Sequence, residues 1–302
     1  MNPETLLRLC SFTYLDLPEG YIRRLARGET VGDGIAGAVV DDLRRLARGE
    51  TVPLAEAARA LRRLLELGAL SCGAYLENAG EALSALERSR LRILAYENDN
   101  DDTGFVAYAF GGRGETIVSV RGSESRSGCV PTNVDWRDNF CAPVAGSVQY
   151  AAATAFADRY ADGSVLLTGH SKGGNVALYA QSVARNPLAR AAVFNAQGFA
   201  RCELDRTQKR RLRAGAVNYV VAGDIVGALL YHPETRFYVR QNPGTNAHSP
   251  DAYAFNAAGW PVPARRTWLS RAVEALSRLL LAVEKLGAVK PVRRLLACPD
   301  PA

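Results

Sequence analysis

Histidine is scarce in this chain, with three in 302 residues, at positions 170, 232 and 248. Any chemistry that needs an imidazole base must draw on these three. The six cysteines (10, 72, 129, 141, 202 and 298) are scattered, with no C-x-x-C pair. That spacing argues against a zinc site or a disulfide framework and for free thiols in a reducing cytoplasm. Cys129 and Cys141 could pair only in an oxidising compartment. No apolar run approaches the roughly 18 residues of a spanning helix. The first residues, Met1 to Glu4, lack the basic stretch and apolar core of a signal peptide. The expected location is therefore cytoplasmic. No metal or organic cofactor is implied. Excess charge is also missing from most of the chain: residues 260–302 hold eight basic and three acidic side chains, +5 of the formal +6. The positive balance therefore says little about nucleic acid.

What is present is Gly169-His170-Ser171-Lys172-Gly173-Gly174. It lies between an apolar stretch that reads as a strand (164–168) and one that reads as a helix (175–180). Strand, G-x-S-x-G turn and helix together form the signature of a nucleophile elbow. The turn is tight, and glycines on either side of the serine leave it room. A helix starting just past the serine aims backbone N–H groups at any oxyanion formed there.

A serine alcohol needs a base, and the base an orienting acid. His170 adjoins the serine, so its side chain should point away, in a structural role. His232 follows a short helical stretch. His248 lies in a loop after the last strand-like segment, where a movable base belongs, and is preferred. Residues 216–222 read as a buried parallel strand rich in valine. Asp224 follows its carboxyl end, in the chain order Ser, Asp, His. Asp224 could also cap a helical turn, and both roles could hold at once. Asp205 and Asp251 are weaker alternatives. Thr116 to Val120 reads as another strand, and Arg121-Gly122-Ser123 follows it. Ser123 and the backbone N–H of Lys172 are the candidate oxyanion donors. The Lys172 side chain could form a surface ion pair or bias the site towards an anionic substrate.

An apolar strand ending in Arg121-Gly122-Ser123, then Asp135-Trp136-Arg137-Asp138-Asn139, then the Gly-His-Ser-x-Gly-Gly elbow, resembles the class 3 (fungal-type) lipases. Gly-His-Ser-Lys-Gly-Gly-Asn-Val-Ala is similar to a bacterial family of lipase-like hydrolases long treated as a domain of unknown function. Thr13-Tyr14-Leu15-Asp16, Gly223-Asp224-Ile225-Val226-Gly227 and Ala247-His248-Ser249-Pro250 fit the same pattern. The resemblance spans roughly residues 10 to 260. It implies an α/β-hydrolase fold with Ser171 as nucleophile, Asp224 as acid, His248 as base and Ser123 at the oxyanion hole. The polar stretch between Ser123 and Asp135 is longer than in those lipases, so the shape of an acyl pocket stays open.

Three regions are expected. Residues 1–90 read as helical, with a net charge of −1, and could cap the site. Within them Arg23 to Val31 recurs as Arg44 to Val52; two copies are too few for a solenoid, and each reads as a helix end closed by glycine. Residues 91–260 read as an α/β core with a mainly parallel sheet, in which strand 105–110 is an antiparallel edge. Residues 261–302 form a basic, amphipathic helical tail. Its apolar positions (Trp268, Ala272, Val273, Leu276, Leu279, Leu280, Val283) share one face, and Pro291 stops or kinks it. That face could pack on the body or a partner chain, or residues 266–290 could lie on a membrane.

The expected activity is a serine hydrolase of carboxylic esters, an esterase or lipase acting through an acyl-enzyme on a small-molecule or lipid ester. A non-catalytic scaffold on the same fold, and an acyltransferase or thioesterase, are the alternatives.

Overall fold

The computed structural model describes residues 1–15, 50–66, 79–99, 103–112, 114–123, 138–139, 146–200 and 203–285. Their strands form an eight-stranded sheet whose spatial order follows the chain. These are β1 (Val52–Pro53), β2 (Arg92–Asp99), β3 (Phe105–Gly112), β4 (Glu115–Val120), β5 (Ser164–Gly169), β6 (Arg190–Phe194), β7 (Ala216–Val221) and β8 (Thr235–Val239). Pairs up to β3–β4 are antiparallel, and those from β4–β5 to β7–β8 are parallel. The helices are α1 (Pro3–Thr13), α2 (Leu54–Glu66), α3 (Ala79–Leu86), α4 (Tyr150–Asp158), α5 (Lys172–Val183), α6 (Arg206–Gly215) and α7 (Trp268–Lys285).

Period-two alternation sorts the strand side chains into two cores. On β3, Tyr108 and Phe110 point to the layer holding α1, α2 and α3, with Leu9, Phe12, Leu61 and Leu83. Phe105, Ala107 and Ala109 point to the other layer, which holds Phe156 of α4, Val176, Ala177 and Leu178 of α5 and Leu212 of α6. Both faces of the parallel strands are thus covered. This explains why β5 to β7 read as near-continuous apolar runs.

The strand expected as an antiparallel edge, 105–110, is antiparallel but interior, because β2 pairs along its outer side and β1 beyond that. β2 reads Arg-Ile-Leu-Ala-Tyr-Glu-Asn-Asp. Only partner strands impose an extended form on so mixed a pattern. Of the N-terminal region, α1 packs across β4, β5 and β6 as part of one sheet layer. The described part of residues 1–90 that was suggested as a cap instead forms this layer, with α2 and α3; most of the repeat falls outside the described residues, as do Asp135 to Arg137 and all the cysteines except Cys10. α7 rests on the body through Ser270, Ser277 and Leu281, and the apolar face offered as a packing surface is not the one buried. Trp268, Leu276 and Leu279 face outward.

Candidate active site

β5 ends at Gly169, and Ser171 takes φ 58°, ψ −127° before α5 begins at Lys172. A non-glycine residue there carries on the order of 1–3 kcal/mol of strain. Close packing holds it. A Cβ on Gly169 would lie 2.7 Å from the Gly174 nitrogen, and one on Gly173 would lie 2.6 Å from the Arg121 carbonyl carbon. The Ser171 N–H donates to the Phe194 carbonyl at 2.9 Å, which ties the turn to β6.

The three expected side chains meet at this turn. His248 Nε2 is 2.9 Å from Ser171 Oγ. His248 Nδ1 is 2.8 Å from Asp224 Oδ1. Asp224 is buried, and its Oδ2 accepts from the Gly227 N–H at 2.6 Å. It therefore contacts the imidazole and closes a helical turn at once. The other aspartates serve elsewhere: Asp205 caps α6 in a capping box with Gln208, and Asp251 lies in the turn Pro250–Ala252, beside Ser249.

His232 is remote from this chemistry. Its Nε2 donates to the Leu229 carbonyl at 2.8 Å, and its Nδ1 meets Glu234 Oε1 at 2.7 Å. Burial pushes the Glu234 carboxyl up, but His232 and Asn218 outweigh it, and the pKa is lowered. His170 is fully buried, with Nδ1 3.0 Å from the Tyr14 hydroxyl and its ring centroid 5.0 Å from that of His248. Burial, then the nearby His248, hold its pKa well below the ordinary 6.5. His170 is therefore a neutral ring packed beside His248. The Cys10 thiol is pushed up to about 12, chiefly by burial, and sits 3.3 Å from Thr168 Oγ1. It is an inert thiol, not a nucleophile.

The β4–β5 register sets Val120 opposite Gly169. Arg121-Gly122-Ser123 therefore leaves β4 beside His170-Ser171-Lys172. Ser123 is buried, and its Oγ accepts from Asn139 Nδ2 at 2.7 Å. Lys172 opens α5, so its N–H stands at the helix N-terminus next to Ser171. The Lys172 side chain departs from expectation. It is 3% exposed, not superficial, and its Nζ pairs with Asp138 Oδ2 at 2.6 Å. Asp138 also accepts from Ser147 Oγ at 2.6 Å and from the Val148 N–H at 3.2 Å.

Sequence reasoning misses Asn195. At φ 43° it ends β6 and joins three segments. Its Oδ1 accepts from the Val221 N–H at 2.9 Å, and its Nδ2 donates to the Ala247 carbonyl at 3.0 Å. It thereby fixes the residue before His248. An asparagine directly after an apolar strand, where left-handed backbone is tolerated, was the available signal.

A family model described as Mbeg1-like matches residues 88–271, more than half of the chain and the whole of this site. The chain belongs to the Mbeg1-like family. Its mainly parallel sheet and its strand–elbow–helix unit are those of an α/β-hydrolase fold. Among solved structures, a fungal lipase is 14% identical, with 67% of this chain and 82% of that chain covered and a TM-score of 0.42. The mono- and diacylglycerol lipase from Aspergillus oryzae is also 14% identical, covering 60% and 79%, with a TM-score of 0.43. M37 lipase is 13% identical, covering 76% and 69%, with a TM-score of 0.34. A search of curated proteins found no match.

Proposed function

We propose that this protein is a serine hydrolase that cleaves carboxylic esters through an acyl-enzyme. The reading rests chiefly on the chain of contacts Ser171 Oγ–His248 Nε2 (2.9 Å) and His248 Nδ1–Asp224 Oδ1 (2.8 Å), presented on a strained strand-to-helix turn. Ser171 Oγ attacks the acyl carbon while His248 takes its proton. The buried Asp224 carboxylate orients the imidazole and stabilises its cation. The N–H groups of Ser123 and Lys172 stabilise the tetrahedral oxyanion, a contribution of about 3–4 kcal/mol per donor. His248 then gives its proton to the departing alkoxide, leaving an ester on Ser171. Water attacks that ester with His248 again as base, releasing the acid and restoring the hydroxyl. Fungal neighbours named as lipases make acyl esters the first substrates to try. We place the enzyme in the cytoplasm, on the reading of its scattered cysteines.

The test is labelling with a fluorophosphonate, followed by mass mapping. The expected adduct is on Ser171, absent from Ser171→Ala. A p-nitrophenyl ester series of increasing chain length then gives the acyl preference. Folded wild-type protein that neither labels nor cleaves any ester would overturn the assignment and favour a scaffold on the same fold.

A further inference from the structure

α7 wears its amphipathicity inside out. At ~100° per residue, Trp268, Ala272, Ala275, Leu276 and Leu279 fall within one arc of ~100°, and all five are exposed. Trp268 is 79% exposed, Leu276 55% and Leu279 62%. The side against the body is largely polar, with Leu281 buried beside the polar groups. Ser270 Oγ donates to the Ala222 carbonyl at 2.5 Å, and Thr267 Oγ1, just ahead of the helix, donates to the same oxygen at 3.0 Å. Ser277 Oγ accepts from the Leu230 N–H at 3.0 Å. Glu274 takes Arg236 at 2.9 Å and Arg266 at 2.6 Å. The helix is therefore bolted in place by polar contacts, with its apolar stripe turned outward.

Charge identifies what that stripe meets. Arg271 and Arg278 are exposed along one flank, and Arg265 is exposed just ahead of the helix. The region 260–302 carries most of the chain's positive excess. An exposed apolar stripe edged by arginine, with tryptophan at its end, fits a surface that is apolar inside and anionic outside. No helix among the described residues is long and apolar enough to cross a membrane. We infer that α7 docks this protein on anionic lipid bilayers, lying in the interface with Trp268, Leu276 and Leu279 inserted. Its anchor at Ala222 is two residues from Asp224. The docked face is thus rigidly joined to the site end of the sheet. Docking itself does not depend on Ser171 being the nucleophile. Only the idea that the bilayer supplies the ester rests on that reading.

The test uses the full chain carrying Ser171→Ala, so that lipid is not consumed. It is mixed with vesicles of phosphatidylglycerol and phosphatidylcholine, or of phosphatidylcholine alone. The expected result is co-sedimentation with the anionic vesicles, weakened by salt, and a blue-shifted tryptophan emission quenched by brominated lipid. Trp268→Phe should remove most of that quenching. Leu276→Glu with Leu279→Glu should weaken binding about tenfold or more while leaving the melting temperature unchanged, since both side chains are exposed. Four outcomes overturn the proposal: no binding by folded protein, binding indifferent to headgroup charge, quenching that survives Trp268→Phe, or a dimer in lipid-free sedimentation that the two glutamates dissociate. Fluorophosphonate labelling of wild type is run alongside. Labelling without docking removes only the surface, and docking without labelling removes only the hydrolase reading.

Discussion

Ser171 and His248 lie 77 residues apart along the chain and His248 and Asp224 24 apart, yet the fold brings all three together. Ser171 follows β5 and Asp224 follows β7, while His248 is held by a loop that Asn195 pins. Asp224→Asn should keep this geometry, because the Gly227 N–H still finds an oxygen. It should cut the rate of ester cleavage by ~10⁴-fold by disfavouring the working imidazole tautomer, read as kcat with KM little changed. Ser171→Ala should cost more, on the order of 10⁶-fold. His170 makes a different prediction. Its folded pKa lies below its unfolded value near 6.5, so the unfolded chain binds the proton first as pH falls. His170 therefore contributes stability that is intact above pH 6.5 and is lost progressively below it. Melting temperatures from pH 7.5 to 5 should fall for wild type, and fall less steeply for His170→Gln. Equal slopes would show that burial does not hold His170 neutral.

The elbow and α5 move as one unit because backbone meets backbone there without room for a Cβ. Gly173→Ala should therefore destabilise the protein by about 3 kcal/mol, measured by urea denaturation, and reduce the fraction labelled at Ser171. The Lys172–Asp138 pair fastens the N-terminus of the same helix to the segment ahead of α4. Lys172→Met would leave Asp138 charged and buried, at a cost of about 3–5 kcal/mol. Lys172→Met with Asp138→Asn should recover most of that loss, since the asparagine oxygen still accepts from the Val148 N–H while its amide donates to the Ser147 hydroxyl oxygen. A double-mutant cycle reads the coupling directly; an additive cycle would mean the pair contributes nothing. The elements themselves were mostly legible. β4 to β7 and α5 are long, periodic or bounded by glycine, and the apolar pattern locates them. β2 was not legible, because its side chains are half polar and its conformation comes from pairing with β1 and β3. The Lys172 side chain misled for a related reason: a lysine adjoining the elbow serine reads as solvated until a carboxylate 34 positions earlier is folded against it.

At the scale of the whole molecule, the sheet sets two cores back to back, and α7 closes neither of them. Its apolar spacing announced an amphipathic helix, but spacing carries no information about which way the stripe turns. That direction depends on where Ala222, Leu230 and Arg236 offer hydrogen-bond and ion-pair partners, and those positions exist only in the folded sheet. The sequence by itself determined the elbow, the candidate places of Ser171, Asp224 and His248 and the parallel core, because each is written in local spacing and in residue types with few substitutes. Only the tertiary structure decided that β3 is interior, that Lys172 is buried against Asp138, that Asn195 holds the histidine loop and that α7 faces outward. These depend on contacts between segments far apart in the chain, which no local pattern encodes.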